Sequence, residues 1–174
     1  ADNGATTSDI VVQSASMGLF SEGKVASTAT TDAFSGEISG TTTEKQIFSL
    51  RAKAIFGAHE NHVQTFLKYV NASMSSSGNR NCTVRLLRNP TLATPTWTDV
   101  ATNSSQLEID TTGTLTPGSG TELFTFTIAS NASISTSLTD LDIFLSGGDI
   151  LTVSGTMGSS TGTISASLDV LEDV

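Results

Sequence analysis

The sequence contains few of the residues that are typical of disulfide-stabilised, disordered or membrane-spanning proteins. It holds one cysteine, Cys82, in 174 residues, so no intramolecular disulfide framework can form. Proline occurs three times and charged residues make up 14% of the chain, unlike the proline-rich or charge-rich composition of disordered proteins. No run approaches the roughly 20 apolar residues of a membrane span, and no charged segment followed by an apolar run marks a secretory leader. We therefore expect a soluble, folded chain.

Serine and threonine dominate what is present, with 53 of the 174 residues. Threonine is β-branched and suits the pleated, half-buried surface of a sheet. Hydrophobic residues make up 37% of the chain, which is enough for a core at this length. The composition predicts one all-β domain.

Alternation of apolar and polar residues locates several strands. Segment 121–130 places Phe124, Phe126 and Ile128 on one face. The C-terminal segment 162–174 alternates more regularly, and its apolar face consists of Ile164, Ala166, Leu168 and Val170. Segment 105–110 is typical of a further short strand. The spacing predicts an antiparallel, jelly-roll-like β-sandwich of about eight strands.

Segment 140–157 predicts two more strands around the turn "SGGD". In the first of them, Leu141, Ile143 and Leu145 share a face. Segment 44–70 fits two patterns. Val63, Phe66, Leu67 and Val70 have helical spacing, whereas Leu50, Ala52, Ala54 and Phe56 alternate as in a strand before a turn at "GAHEN". The β-like surroundings and the lack of helix caps favour strands.

Residues 1–43 differ from the rest because their apolar residues form small islands within Ser, Thr, Gly and Ala. Such a segment cannot bury much surface alone. We interpret it as an extended arm, followed by a sandwich domain at 44–174, that joins the main sheet or docks on a neighbouring subunit. A poorly ordered terminus is the alternative. The expected arm contacts are Ile10, Val11, Val12, Leu19 and Phe20.

The net charge of −9 is unevenly distributed along the chain. Residues 51–90 carry six basic groups and one acidic group, whereas residues 91–174 carry ten acidic groups and no basic group. An acidic chain argues against nucleic-acid binding. Two interpretations of the asymmetry stay open. In the first interpretation, the basic middle segment of one copy contacts an acidic surface on another copy. In the second, neighbouring strands of one sheet pair their charges.

The motifs that carry chemistry are weak. His59 and His62 lie three residues apart in a predicted turn, whereas the zinc-protease pattern needs histidines four apart on a helix. No G-x-S-x-G elbow or Gly-rich phosphate loop occurs. The carboxylate pairs Asp140 with Asp142 and Glu172 with Asp173 lie in strand-like or terminal contexts. We expect a non-enzymatic protein without a metal or cofactor.

Sugar binding needs an aromatic ring that can stack on a sugar face, and aromatic residues make up only 6% of the chain. Trp97 and Tyr69 are the two amphipathic candidates. Trp97 alternates in "PTWTDV", which favours a place in the core or between the sheets over a surface site.

Residues 82–114 read as a strand, a kinked connection and a second strand. Val84 and Leu86 are predicted to face the core, with Arg85 near the surface. Pro90 and Pro95 remove backbone donors, so the next ladder can begin only after them.

The order of "TVRLLRNPTLATPTWTDV", "NSSQLEIDTTGT", "TELFTFTIAS" and "GGDILTVS", within residues 47–156, resembles a module of virion structural proteins from tailed bacteriophages, particularly phages of aquatic hosts. The resemblance implies an all-β, non-enzymatic fibre, baseplate or head-decoration component on the particle exterior. Its expected partners are other virion proteins and copies of itself, with a trimer favoured by the resemblance.

Two alternatives belong to other classes. The first is a subunit of an extracellular filament in which the arm fills a neighbour's groove. The second is a carbohydrate-binding adhesion module that recognises host surface polysaccharide. Neither nucleic acid nor a membrane is an expected partner.

Overall fold

The structure is a computed structural model that describes residues 30–78, 80–102 and 104–172. Fifteen strands and one short 3-10 turn, Thr139–Leu141, make up its regular structure. No α-helix occurs among these residues. The strands are β1 Thr30–Ser39, β2 Lys45–Ala52, β3 Ile55–Phe56, β4 His59–Glu60, β5 Thr65–Ser75, β6 Asn81–Arg88, β7 Leu92–Ala93, β8 Thr98–Asp99, β9 Leu107–Asp110, β10 Thr114–Leu115, β11 Thr121–Ala129, β12 Ser133–Ser137, β13 Phe144–Leu145, β14 Ile150–Met157 and β15 Thr163–Glu172.

Two antiparallel sheets form a sandwich. The first has the order β1-β15-β5-β12, with β13 also paired to β5. The second has the order β11-β6-β14-β2-β9-β8. The predicted all-β antiparallel sandwich is therefore confirmed. The strand number exceeds the expected eight because the connections contain short two-residue strands, namely β3, β4, β7, β8, β10 and β13.

The core lies between the two sheets and follows the alternation of the sequence. In β15, Ile164, Ala166, Leu168 and Val170 are all buried, as predicted. Across the core, Val84 and Leu86 of β6 are fully buried and face inward. Phe124, Phe126 and Ile128 of β11 pack against the same core cluster. Successive side chains of a strand point to opposite faces of the sheet, so these buried residues show which face of each sheet points inward.

Segment 44–70 is a set of strands, so the helical alternative is wrong. Val63, Phe66 and Val70 lie before and within β5, which pairs with β15 in the first sheet. Leu50 and Ala52 are buried as predicted, but Ala54 is exposed and Phe56 is only half-buried. The chain leaves the second sheet after Ala52 and forms the β3–β4 hairpin, so the predicted face does not continue.

Segment 140–157 forms two strands around the turn at 146–149, as predicted. The two strands do not pair with each other, because β13 pairs with β5 in the first sheet and β14 pairs with β2 and β6 in the second. Leu145 is buried, whereas Leu141 ends the 3-10 turn and is 51% exposed. Asp142, which follows, has a left-handed backbone with φ of 48°. The chain turns there, and the alternation breaks.

Part of the segment predicted as an arm belongs to the first sheet. Residues 30–39 form β1, which pairs along its whole length with β15. Phe34 of β1 lies in the core cluster and is 7% exposed. The predicted arm contacts Ile10, Val11, Val12, Leu19 and Phe20 lie outside the described residues.

Candidate functional site

The outer face of the second sheet is covered by the chain's own connections. Thr152, Ser49 and Asp110 stand side by side on β14, β2 and β9 and point away from the core, yet all three are buried. The Ser49 and Thr152 hydroxyl oxygens lie 2.6 Å apart in a hydrogen bond. Because these outward residues have no access to solvent, this part of the face offers no surface to a ligand.

Asp110 forms hydrogen bonds to the connections that cover that face. Its carboxylate accepts hydrogen bonds from Gln46 Nε2 at 2.7 Å, from the Thr96 amide at 2.8 Å and from the Gly113 amide at 2.9 Å. The amide and hydroxyl of Thr112 also donate to it. Burial opposes ionisation of Asp110, but these donors outweigh it and lower the pKa of the carboxyl.

Four of the six basic residues in segment 51–90 form ion pairs within this sheet or at its ends. The pairs are Arg51 with Glu108, Lys53 with Asp99, Arg85 with Glu44, Arg85 with Glu122, and Arg88 with Asp149. Burial opposes the charge of Glu44, yet hydrogen bonds from Ser154, Gly118 and Arg85 lower the pKa of Glu44 overall. The interpretation of charge pairing between neighbouring strands is confirmed.

The outer face of the first sheet is different, because small polar residues stand in rows across four strands. The register aligns Glu37, Ser165, Ser73 and Ser133 in one row. It aligns Ser35, Ser167, Asn71 and Ser135 in the next row. With strands about 4.8 Å apart, each row is about 14 Å long. Most of these side chains are exposed.

A row of small inward residues lies between those two polar rows. Gly36, Ala166, Ala72 and Ile134 are in register across the same four strands. A Cβ atom on Gly36 would lie 2.8 Å from the carbonyl oxygen of Ile47 in the facing sheet. Since three of the four residues have almost no side chain, the first sheet can approach the second closely at this row. The outer surface above it is a groove.

The groove has a volume of about 590 Å³ and is lined by both polar rows. Asn71 Nδ2 donates to Ser167 Oγ at 3.2 Å, and Ser165 Oγ donates to a Glu37 carboxylate oxygen at 3.2 Å. Ser35, Ser73, Ser133 and Ser135 make no side-chain hydrogen bond to any residue that the structure describes. The groove therefore presents to solvent four hydroxyl groups without a side-chain partner among the described residues.

Tyr69 extends the groove by one row. It lies two residues before Asn71 on β5, pairs with Asp169 of β15, and its residue surface is 48% exposed. Because side chains two residues apart share a face, the phenol ring lies on the same outer surface as the groove. Glu37 and Asp169 are the charged residues of these rows.

A buried carboxyl pair closes one end of the sandwich. Glu172 of β15 is fully buried, and it accepts hydrogen bonds from Ser105 Oγ at 2.7 Å and from the Gln106 amide at 2.9 Å. Burial raises the pKa of Glu172, and the neighbouring Asp32 carboxyl raises it further against those donors. One oxygen of Asp32 is buried without a hydrogen-bond partner among the described residues. A proton held by Glu172 would give that oxygen a partner.

This pair does not form an accessible reactive site. Glu172 has no exposed surface, and Gln106 beside it bonds Asn61 and Thr65 in a buried network. We interpret the network as a polar clamp between the two sheets.

The β1 edge is the second feature with functional potential. β1 pairs with β15 through ten residues without a register shift, and no described residue pairs with its other side. The other sheet edges are shorter or irregular. β12 has five residues, β8 has two, and β11 contains a bulge between Glu122 and Phe124. A long regular edge is a template for another strand.

The two predicted surface aromatics lie on opposite faces of the sandwich. Tyr69 lies beside the groove of the first sheet, whereas Trp97 is half-buried with the Arg51 guanidinium 4.5 Å from its ring centre. Arg51 points outward from the second sheet, so Trp97 packs on that outer face and is not in the core cluster. The two rings cannot contact one ligand together.

The sequence interpretation missed the groove itself. Its local signals were the alternating serines of β1, β5, β12 and β15. Their alignment into rows depends on strand pairing between residues as far apart as 37 and 165, which alternation within one strand does not specify.

His59 and His62 are both exposed at the β3–β4 hairpin and the connection after it. Within the described ranges, no group of three or more His, Cys, Asp or Glu residues is arranged to hold a metal ion. Cys82 is buried, and burial raises the pKa of its thiol. In the same ranges, no helix has both the length and the apolar character needed to cross a membrane.

Comparisons with known proteins give little further information. No protein-family model matches the chain, and no curated protein matches it. Among solved structures, the chain is similar to one described as the structure of tomato aspermy virus by X-ray crystallography. The identity is 12%, the match covers 86% of this chain and 81% of that chain, and the TM-score is 0.29. A likeness at this level carries no argument about the role of the chain.

Proposed function

We propose that this protein is a non-enzymatic structural subunit of a tailed-bacteriophage virion, which assembles with copies of itself and with other virion proteins by strand addition at the β1 edge. The fibre, baseplate or head-decoration role on the particle exterior comes from the sequence resemblance over residues 47–156. The same resemblance is the basis for proposing three-fold symmetry.

The observation that carries the proposal is the open, regular β1 edge. Main-chain N–H and C=O groups along such an edge add another strand with directional hydrogen bonds. Sheets that avoid this use lysine, proline or bulges on their edges. β1 has neither lysine nor proline, and its ladder is unbroken. Its inward carboxyl group, Asp32, interacts with Glu172 of the neighbouring β15.

The residues that precede β1 are the proposed strand donor. Residues 1–29 are joined to the first residue of β1, so they are tethered to this edge. Fully extended, 29 residues reach at most ~105 Å. A domain of this size has a radius of gyration of only ~15 Å. The segment is therefore long enough to reach the edge of a neighbouring copy, where Ile10, Val11 and Val12 would fix the register.

The experiment uses purified full-length protein, with light scattering after size-exclusion chromatography and electron microscopy. Small closed oligomers are expected. Replacing Ile10, Val11 and Val12 together by serine should give monomers that keep the circular-dichroism spectrum of the wild type, because these residues are not part of the strands that the structure describes. Replacing Thr6 and Thr7 by serine is the matched control and should leave the oligomer intact. Monomeric wild-type protein at high concentration would refute assembly through this edge.

The same images separate the virion proposal from the filament alternative. A heterologous contact whose rotation does not close gives open fibres, whereas closed symmetry gives particles of fixed size. Fibres formed by the purified chain alone would favour the filament.

A further inference from the structure

We propose that the groove on the outer face of the first sheet binds a neutral polysaccharide. The site comprises Glu37, Asn71, Ser73, Ser133, Ser165 and Ser167, with Tyr69 at its end. This goes beyond the proposed assembly role, which uses the edge of β1 and leaves this face open.

The hydrogen-bonding chemistry of the groove matches a chain of sugar hydroxyls. A serine hydroxyl both donates and accepts, the Asn71 amide does both with separate atoms, and Glu37 accepts. Ser73 and Ser133 have no side-chain partner among the described residues, and the other four groups form only two hydrogen bonds, each 3.2 Å long. Short side chains also lose little rotamer freedom when a ligand fixes them. A row about 14 Å long can contact more than one sugar ring.

The charge of the groove selects among polysaccharides. No lysine or arginine stands in its two rows, and Glu37 is their single ionisable group. Asp169 adds a second negative charge in the next row, beside Tyr69. Phosphate, sulfate or carboxylate groups on a ligand would be repelled, so the glycan should be neutral.

The exposed phenol ring of Tyr69 gives the groove a stacking surface at one end. An aromatic face can cover the apolar face of a sugar ring, while the phenol hydroxyl stays available for a hydrogen bond. Tyr69 is 48% exposed and makes no aromatic pair among the described residues. An exposed aromatic ring without an aromatic partner, beside a groove lined by hydroxyl groups, is the arrangement expected at a sugar-binding site.

The test is an array of neutral polysaccharides (glucan, mannan and galactan) beside anionic ones (alginate and polysialic acid), followed by titration calorimetry with any that bind. Full-length protein should bind at least one neutral polysaccharide and no anionic one. Ser73→Gln, which fills the centre of the groove, should weaken binding by at least about tenfold. Tyr69→Ala should weaken it by about tenfold, which corresponds to ~1.4 kcal/mol, and Tyr69→Phe by less.

Thr127→Gln is the matched control, because Thr127 is an exposed outward residue on β11 of the other sheet. It should bind as the wild type does. Asn71→Ser provides a second groove variant should Ser73→Gln fail to fold. Absence of binding to every neutral polysaccharide, preference for an anionic one, or binding unchanged by the groove variants would overturn the proposal. A change of oligomeric state in Ser73→Gln, without neutral-glycan binding in the wild type, would instead assign the groove to a second copy of the chain.

Discussion

Gly36 of β1 lies directly over Ile47 of β2, on the facing sheet. A Cβ atom added to Gly36 would approach the Ile47 carbonyl oxygen to 2.8 Å and the Ile47 Cγ2 atom to 3.0 Å. The first of these neighbours is backbone and cannot rotate away. The contact shows how one small residue sets the distance between the sheets and so the depth of the groove outside them.

Gly36→Ala should therefore destabilise the protein. The added methyl must push β1 away from β2, and overpacking of this kind costs about 1–3 kcal/mol. Urea unfolding followed by circular dichroism measures the difference. Gly78→Ala is the control, because the nearest atom to its Cβ would be Arg80 Cγ at 3.8 Å. Equal stability of Gly36→Ala and the control would mean that the sheets do not approach as closely as described.

Asp110 gives a prediction that combines stability with pH. Asp110→Ala removes a buried acceptor from Gln46, Thr96 and Gly113 and should cost about 2–3 kcal/mol at neutral pH. The folded protein lowers the pKa of this carboxyl. The carboxylate therefore stabilises the fold above its unfolded pKa, and that contribution is lost as the pH falls through the folded pKa.

The measurement is the free energy of unfolding of wild type and Asp110→Ala at a series of pH values from neutral to acid. The difference between them should shrink as the pH falls. Asp140→Ala, at an exposed position in the 3-10 turn, is the control and should stay within about 0.5 kcal/mol of wild type. A difference that stays constant into acid would count against the charged hydrogen bonds of Asp110.

Glu172 should show the opposite dependence on pH. Its pKa is raised by burial and by Asp32. Its contribution to stability is therefore complete below the unfolded pKa and is lost as the pH rises through the folded pKa. Glu172→Gln removes the charge, while its amide can still bond the Asp32 carboxylate. Relative to wild type, this variant should gain stability as the pH rises from acid to neutral.

Urea unfolding across that pH range tests the sign. Glu60→Gln, on the exposed β4 strand, serves as control, and its curve should run parallel to wild type. A Glu172→Gln curve parallel to wild type would show that the two carboxyls do not interact in the folded protein.

Sequence patterns predicted the parts of the fold that depend on single strands. Ile164, Ala166, Leu168 and Val170 alternate without interruption in β15, so their inward face followed from period two alone. Leu141 broke the same rule, because it ends the 3-10 turn that connects β12 to β13, two strands that both pair with β5. Such a turn leaves no local signal beyond the Asp that follows it.

The candidate site was less accessible to prediction. Tyr69 was identified as a surface aromatic, but its neighbours were not. The residues around it come from four strands that are distant in sequence, and one of those strands, β1, lay in the segment interpreted as an arm. Trp97 was predicted to lie in the core or between the sheets. Stacking on Arg51 places it on the outer face of the second sheet instead.

Truncation distinguishes the arm from the strand that follows it. Removing residues 1–29 should leave the free energy of unfolding within about 0.5 kcal/mol of that of the monomeric serine triple variant. Removing residues 1–39 also takes β1 and with it Phe34, which is 7% exposed in the core. Loss of a core phenylalanine alone costs about 3–5 kcal/mol, and β15 would lose its partner as well. The longer truncation should thus be strongly destabilised or unfolded by circular dichroism and urea titration. Equal stability of the two truncations would show that β1 is as separable as the residues before it, and the assembly edge would then belong to β15.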